Sequence, residues 1–304
     1  MQAASGIRPA STDELADVLR RDARPLAVTG SGSKRAIGRH VDAESLDLSA
    51  LDGVVDYRPA ELVLTALAGT RLAAIEALLA EHGQRLAFEP PDLGPLLDAG
   101  GSANKYNSPM TGTDRGTIGG VLASNLSGSR RVTAGAARDH FLGVTAVNGR
   151  GDVFRAGGKV VKNVTGYDLP KLLAGSWGTL AVMSEVTLKV VPSAETERTL
   201  ILPDRDPAAA VATLTAALGS AHEVSSAGFD PWRGSFIRLE GLGLSVTARA
   251  EALLGELGKG QVETIEGQAS RELWARHAGA EALADWRVVW RLSVPPADAP
   301  RVLR

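Results

Sequence analysis

The chain has 304 residues, enough for one large domain and a smaller one, and 44% of them are apolar, an ordinary share for a folded core. A formal charge of −2 without blocks of like charge argues against a nucleic-acid or polyanion surface as its main business. It contains no cysteine, which excludes disulfides, thiolate catalysis, Fe–S ligation by this chain and cysteine-rich zinc sites. The first twenty residues lack an apolar core of signal-peptide length and no apolar run approaches ~20 residues, so the expectation is a cytoplasmic protein without a transmembrane segment.

In chain order, residues 11–20 predict a helix with Ser11 or Thr12 as N-cap and Glu14 near the capping-box position. A short strand, Leu26 to Thr29, runs into Gly30-Ser31-Gly32-Ser33-Lys34, and Ser45–Leu48, Val54–Tyr57 and Glu61–Ala66 read as further strands. The next helix has Thr70 as N-cap, Leu72, Ile75 and Leu79 on one face, and Gly83 just past its end. Pro90 to Arg115 reads as a loop too long to be a mere connector. A glycine-rich turn and small-residue helix follow, then a hairpin around Asn148-Gly149, a helix capped by Asp168, and the strand Leu180–Val190. Beyond Pro192 the pattern predicts strand 198–202, helix 207–218, strands near 223–229 and 235–240, helix 245–257 and strand 261–265. A helix at 270–284 and a strand Trp286–Val294 complete that α+β rhythm. Asp298 and Pro300 then read as the start of a helix, so this second domain is expected to be incomplete at its C-terminus.

Two segments carry chemistry. A glycine pair after a strand lets backbone N–H groups converge on an anion, and Gly30, Ser31, Gly32, Ser33 and Lys34 add two hydroxyls and a cation. The segment fits neither a Walker A loop nor a Rossmann fingerprint, since the glycine–lysine pair of the one and the third glycine and helix of the other are missing. Alone it also reads as a plain tight turn. The second segment runs from Thr117 to Gly128, where small residues would let a flat ligand lie against the backbone, with the Ser124 and Asn125 side chains at its polar edge. Tight helix–sheet packing is the alternative.

In combination the segments are specific. GSGSK, FEPPD, TIGGVLASNLSG, ARDHFLGVTAVNGRGDVFRAGGKVVKNVTGYDL and LAGSWGTLAVMSEVTLKVVP occur in an order and spacing that resembles the FAD-binding domain of the vanillyl-alcohol oxidase/PCMH superfamily, and within it the E subunits of bacterial glycolate oxidases. The resemblance covers most of residues 10–195; residues 196–304 resemble the cap region in outline. It implies an α+β fold, with a PCMH-type FAD-binding domain over 1–195 (subdomains of about 1–69 and 70–195) and a partial cap over 196–304. It further implies that Gly30, Ser31, Gly32, Ser33 and Lys34 hold the FAD pyrophosphate, and that Pro91 and Asp92 line the flavin site. Thr117, Ile118, Gly119, Gly120, Ser124, Asn125 and Gly128 match the second cofactor-binding stretch, and Val182 and Glu185 lie in the strand beside the adenosine half.

Many relatives tether flavin through a loop histidine or a cysteine; here Lys34 occupies the loop and cysteine is absent, so the implied FAD is non-covalent. Ser31 stands where the family has the middle of three glycines, and still presents its backbone N–H. The GDGN-x-H kind of metal-associated motif, found in relatives that oxidise D-2-hydroxy acids, is missing, and no metal is expected. His40 and His82 read as solvent-facing, and His222 and His277 as helix-related positions without metal-site spacing. His140 and Arg138 are the candidates for a base and a carboxylate-binding cation, the alternative being that Arg138 and Asp139 pair or cap backbone. Lys162, Asn163, Tyr167 and Asp168 form a polar run in which Asp168 reads first as a helix cap.

The function implied is the FAD-binding subunit of a complex oxidising a small 2-hydroxy acid such as glycolate, cytoplasmic or peripheral to the inner membrane through its partners. Those partners would be a larger catalytic flavoprotein subunit and an iron–sulfur subunit. A self-sufficient FAD-dependent dehydrogenase and a flavin-free interaction module are the alternatives.

Overall fold

The computed structural model describes residues 6–22, 24–38, 41–98, 116–159, 166–258 and 262–302. The chain divides into two compact units, residues 1–127 with 135–193, and 128–134 with 194–304.

The first unit opens with α1 (Thr12–Arg21), whose N-cap Ser11 accepts a hydrogen bond from Glu14 N while the Glu14 carboxylate accepts one from Ala10 N at 2.8 Å. β1 (Leu26–Thr29) and β2 (Glu44–Asp47) pair in parallel, and α1 buries Leu15 against Leu46, Leu48 and Leu51. β3 (Val54–Arg58) and β4 (Val63–Leu67) precede α2 (Leu72–Glu81), β5 (Gln84–Arg85) and α3 (Gly94–Asp98). The segment expected to be a single loop from Pro90 therefore begins with a short helix; residues 99–115 lie outside the described residues. Next comes α4 (Ile118–Ser124), and α5 (Arg131–Ala134) belongs to the second unit. β6 (Phe141–Asn148), β7 (Val153–Gly157), α6 (Leu169–Leu173), β8 (Ala181–Lys189) and β9 (Val191–Pro192) close the first unit.

Its main sheet is antiparallel, ordered β3-β4-β8-β6-β7, and β5 pairs with β9. α2 and α4 bury Leu72, Ile75, Leu79, Ile118, Val121 and Leu122 against Leu64, Ala66, Val144, Ala146, Val186 and Leu188 of the sheet. The apolar spacing read on α2 thus marks its buried face. Because β4 pairs with β8, the strands on both sides of position 69 share one sheet, and the expected subdomain boundary there crosses it.

Thr70 is not the N-cap of α2. Arg71 holds that place, and the Thr70 hydroxyl instead donates to Gly53 O and accepts from Gly53 N. The backbone there is already committed: Ile118 N donates to Thr70 O at 3.0 Å and Leu72 N to Gly116 O at 2.9 Å. These bonds tie the start of α2 to the start of α4. The Asn148-Gly149 hairpin exists but is longer than two residues, with Asn148 Oδ1 accepting from Arg150 N and Asp152 N.

The second unit follows the βαββαβ rhythm: β10 (Thr196–Leu202), α7 (Pro207–Gly219), β11 (Val224–Asp230), β12 (Gly234–Gly241), α8 (Gly243–Glu256) and β13 (Glu263–Glu266). α9 (Gly267–Ala278) and α10 (Ala299–Val302) complete it. The antiparallel sheet runs β11-β12-β10-β13. Leu200, Leu202, Ile237 and Leu239 face Val246, Ala250 and Leu253 of α8, while Ile201 and Phe236 meet Leu273 and Trp274 of α9. Trp286–Val294 is not a strand; its alternating apolar side chains are exposed and it joins no sheet among the described residues. A period of two reports a face that could be buried, not that a strand edge is available to pair with it.

The segment 128–134 carries Arg130 into a buried charge cluster. Its guanidinium donates to both carboxylate oxygens of Glu240, at 2.9 Å from Nε and 2.8 Å from Nη2, and Nη2 lies 3.6 Å from Glu197. Glu240 and Glu197 are both buried within this unit, so truncating Arg130 takes the principal cation from two carboxylates with little access to water. Arg130→Met is expected to destabilise the second unit by about 3–5 kcal/mol in urea denaturation, and the double variant Arg130→Met/Glu240→Leu to recover part of that loss. A single-variant loss below about 1 kcal/mol would show the pair to be dispensable.

Candidate cofactor site

The site is built where β1 ends. Gly30 lies so close to the start of α4 that a Cβ on it would stand 2.3 Å from Thr117 Oγ1. Thr117 is buried and caps α4, its hydroxyl accepting from Gly120 N at 3.3 Å. Gly32 adopts φ +78°, the left-handed region that side chains disfavour, and the chain turns there, with Arg35 N donating to Gly32 O at 3.0 Å. The turn brings Lys34 back over α4: its Nζ lies 2.7 Å from where a Cβ on Gly116 would stand and 4.0 Å from the equivalent point at Gly120.

Between these segments lies a cavity of about 380 Å3. Gly30, Ser31, Gly32, Ser33 and Lys34 form one wall; Thr117, Gly119, Gly120 and Ala123 form a second. Leu26, Val28, Val182 and Met183 make an apolar wall, and Trp177, Gly178 and Thr179 are also among the lining residues. The Ser31 hydroxyl is buried and has no hydrogen-bond partner among the described residues. Lys34 Nζ donates to Ser33 Oγ at 3.2 Å and forms no ion pair within 4.0 Å among the described residues. Burial pulls its ammonium down to about 8, an effect partly opposed by the Asp92 carboxylate. An orphaned hydroxyl, a desolvated cation and exposed backbone on one cavity wall are the donor set that a diphosphate satisfies.

Of the residues singled out in the sequence, the cavity wall brings together Gly30 to Lys34, Thr117, Gly119, Gly120 and Val182. The others stand elsewhere. Ile118 is buried in the core, packed with α2. Ser124 and Asn125, expected at a ligand's polar edge, serve the backbone: the Ser124 hydroxyl donates to Gly120 O at 2.7 Å, and Asn125 Oδ1 accepts from Arg138 N at 3.0 Å. Pro91 is buried, and Asp92 Oδ1 accepts from Gly94 N; neither lines the cavity, and Asp92 bears on it through charge. Gly128 falls in the second unit. Glu185 pairs along β8 and accepts from Thr145 Oγ1 at 3.4 Å.

Of the histidines, His140 is buried with its ring 5.7 Å from Phe88, and it does not line the cavity. Asp139 accepts from Ala136 N at 2.8 Å, so it caps backbone, and Arg138 is exposed. His82 packs edge-on to Tyr57, His222 meets Glu256 at 2.9 Å, and burial among Phe236 and Trp274 lowers His277 from its ordinary pKa. His40, Lys162 and Asn163 lie outside the described residues, while Tyr167 is exposed and Asp168 caps α6. No group of His, Asp or Glu among the described residues could hold a metal ion, and none of their helices is long and apolar enough to cross a membrane.

Trp177, Gly178 and Thr179 lie in one of the segments that carry the resemblance but were not named as site residues. Their signal was the SWGT turn immediately before β8, which follows a strand-entry pattern and says nothing about the distant β1 it approaches.

A glycine–serine turn at a strand end, set against a small-residue helix within an α+β unit, offers a cradle of the kind a dinucleotide-binding domain needs. The family model described as "FAD binding domain" matches residues 3–108 and 97–157. Glycolate oxidase subunit GlcE of Escherichia coli (strain K12) is 36% identical over 282 residues, which cover 92% of this chain and 71% of that one. Glycolate oxidase subunit GlcD of Bacillus subtilis (strain 168) is 45% identical over 85 residues, 28% of this chain and 18% of that protein. Among solved structures, alkyldihydroxyacetonephosphate synthase shares the fold with a TM-score of 0.64 at 17% identity, covering 91% of this chain and 58% of its own. The chain belongs to the FAD binding domain family of oxidoreductases, and FAD is its cofactor.

The cradle generates two tests. Gly32→Val places a β-branched side chain at φ +78° and should weaken FAD retention more than a hundredfold, the order expected from losing two charge-assisted hydrogen bonds. Equal FAD affinity of the Val variant in calorimetry would remove the anion loop from the site. A bound diphosphate favours charged Lys34, so the complex keeps a proton that the free protein begins to lose near its value of about 8. Affinity is therefore expected to fall as pH rises through that value, by up to about tenfold per unit, and Lys34→Arg should flatten the profile. A wild-type affinity independent of pH over that range would contradict this role.

Proposed function

We propose that this chain is the FAD-binding subunit of a complex that oxidises a small 2-hydroxy acid, glycolate being the first candidate, and that it holds FAD without a covalent bond. The observation that carries the reading is the cavity itself, in which the Gly30–Lys34 loop and the start of α4 offer a diphosphate-sized cradle beside an apolar wall. The subunit role is supported by the spread of similarity. The match to GlcE covers 92% of this chain and 71% of that protein, whereas a D-lactate dehydrogenase of Anaerostipes hadrus is 28% identical over 65% of this chain and only 38% of its own length. Non-covalent binding is supported by the absence of cysteine and by a loop, Gly30 to Lys34, that contains no histidine.

When bound, FAD supplies a two-electron acceptor. The chain's own residues would hold and orient it: backbone N–H groups and hydroxyls of Gly30 to Ser33 would serve the diphosphate, Lys34 would neutralise part of its charge, and Val28, Val182 and Met183 would keep water from one side. Removing a hydride from a hydroxy acid also needs a base at the hydroxyl and a cation at the carboxylate. His140, buried beside Phe88, and Arg138, exposed, are not gathered at this cavity. In this reading those groups come from a larger flavoprotein subunit, and an iron–sulfur subunit takes the electrons onward.

The test is anaerobic reduction of the bound flavin by glycolate or D-lactate, first with this chain alone and then with the partner subunits added. Orientation and proton transfer are worth several kcal/mol each, so the isolated chain is expected to bleach slower by orders of magnitude than the reconstituted complex. Rapid bleaching of the isolated chain would replace the subunit reading with that of a self-sufficient dehydrogenase.

A further inference from the structure

We infer that Trp177 is the aromatic platform of the cofactor cavity and stacks on one of the two flat ring systems of FAD; the inference rests on the FAD reading above. Trp177 lies in the turn between α6 and β8 and lines the cavity, and it is the only aromatic among the described lining residues. Two local features are unfavourable for a residue with no further role. Its backbone sits at φ +55°, a region where a bulky side chain is strained and where asparagine or glycine would be at ease. The residue is 48% exposed, a large share for a tryptophan.

The surroundings hold this conformation in place. Trp177 N donates to Ala123 O at 2.9 Å, which ties the turn to α4, and the Thr179 hydroxyl donates to Ser176 O at 2.6 Å. Gly178 packs on Val28 of β1, where a Cβ would stand 3.2 Å from the valine. A strained residue held from three sides at the edge of a cavity is the arrangement found where a side chain must present itself to a ligand. The rest of the cavity says which ligand: its polar wall, Gly30 to Lys34, suits a diphosphate, and its apolar wall, Val28, Val182 and Met183, suits a flat ring. A dinucleotide carries both, with a planar heteroaromatic system at each end, and an indole face is the strongest stacking partner a side chain offers to such a ring.

Trp177→Asn separates the two roles. Asparagine accepts left-handed backbone and lacks the ring, so the variant without cofactor should melt at or above the wild-type temperature. FAD affinity by calorimetry should nevertheless fall about ten- to a hundredfold, whereas Trp177→Phe, which keeps a ring, should stay close to wild type. Binding of FAD should also quench wild-type tryptophan fluorescence more than that of Trp177→Phe. ADP and FMN, titrated separately, identify the end that stacks: the fragment whose affinity the Asn variant loses carries the stacked ring. Trp177→Asn binding FAD as tightly as wild type would overturn the inference while leaving the FAD reading intact. A wild-type chain that takes up no FAD would overturn both.

Discussion

The candidate cofactor site depends on how closely two stretches of backbone, far apart in sequence, approach each other. A Cβ on Gly30 would stand 2.3 Å from the hydroxyl of Thr117, so the end of β1 and the start of α4 can touch only because one of them carries no side chain. Thr117 cannot retreat: it is buried, it caps α4, and Ile118 N beside it is bonded to Thr70 O. That contact sets one side of the cavity and places the Gly30–Lys34 turn over α4. A larger residue at position 30 would have to open the site or unseat a helix packed on the main sheet.

The electrostatics follow from the packing. Folding leaves the Ser31 hydroxyl buried without a partner among the described residues and leaves the Lys34 ammonium desolvated. Both cost free energy in the protein by itself, and both are relieved by an anion on the same wall. Trp177 repeats the pattern on the apolar side, strained in its backbone and exposed at the cavity's edge. Three unfavourable local features of this unit thus meet at one cavity, as expected where a site is shaped to receive a ligand.

Much of this was legible in the sequence because it is local. Helix periodicity marks Leu72, Ile75 and Leu79, Ser11 is one of the two caps its segment offers, and Asp168 reads as a cap. What was not legible depends on distant partners. Thr70 looks like a cap until Gly53 claims its hydroxyl, and Ser124 and Asn125 look like ligand donors until their own backbone claims them. Trp286–Val294 carries a strand's alternation, but pairing needs an edge that alternation cannot supply. Nothing in the run from Gly128 to Ala134 reveals that Arg130 belongs to a cluster with Glu197 and Glu240, both far along the chain. Trp177 was missed for the same reason, since its turn meets β1 through a contact distant in sequence, that of Gly178 with Val28.

The central claim is that this cavity holds FAD and holds it without a covalent bond. The visible spectrum of the purified chain, recorded before and after acid precipitation, tests it most directly. The account predicts a yellow protein, or a colourless one that takes up added FAD, with all the flavin in the supernatant once the polypeptide is precipitated. Flavin that stays with the pellet would contradict the non-covalent assignment, and a chain that neither carries nor takes up FAD would contradict the site itself.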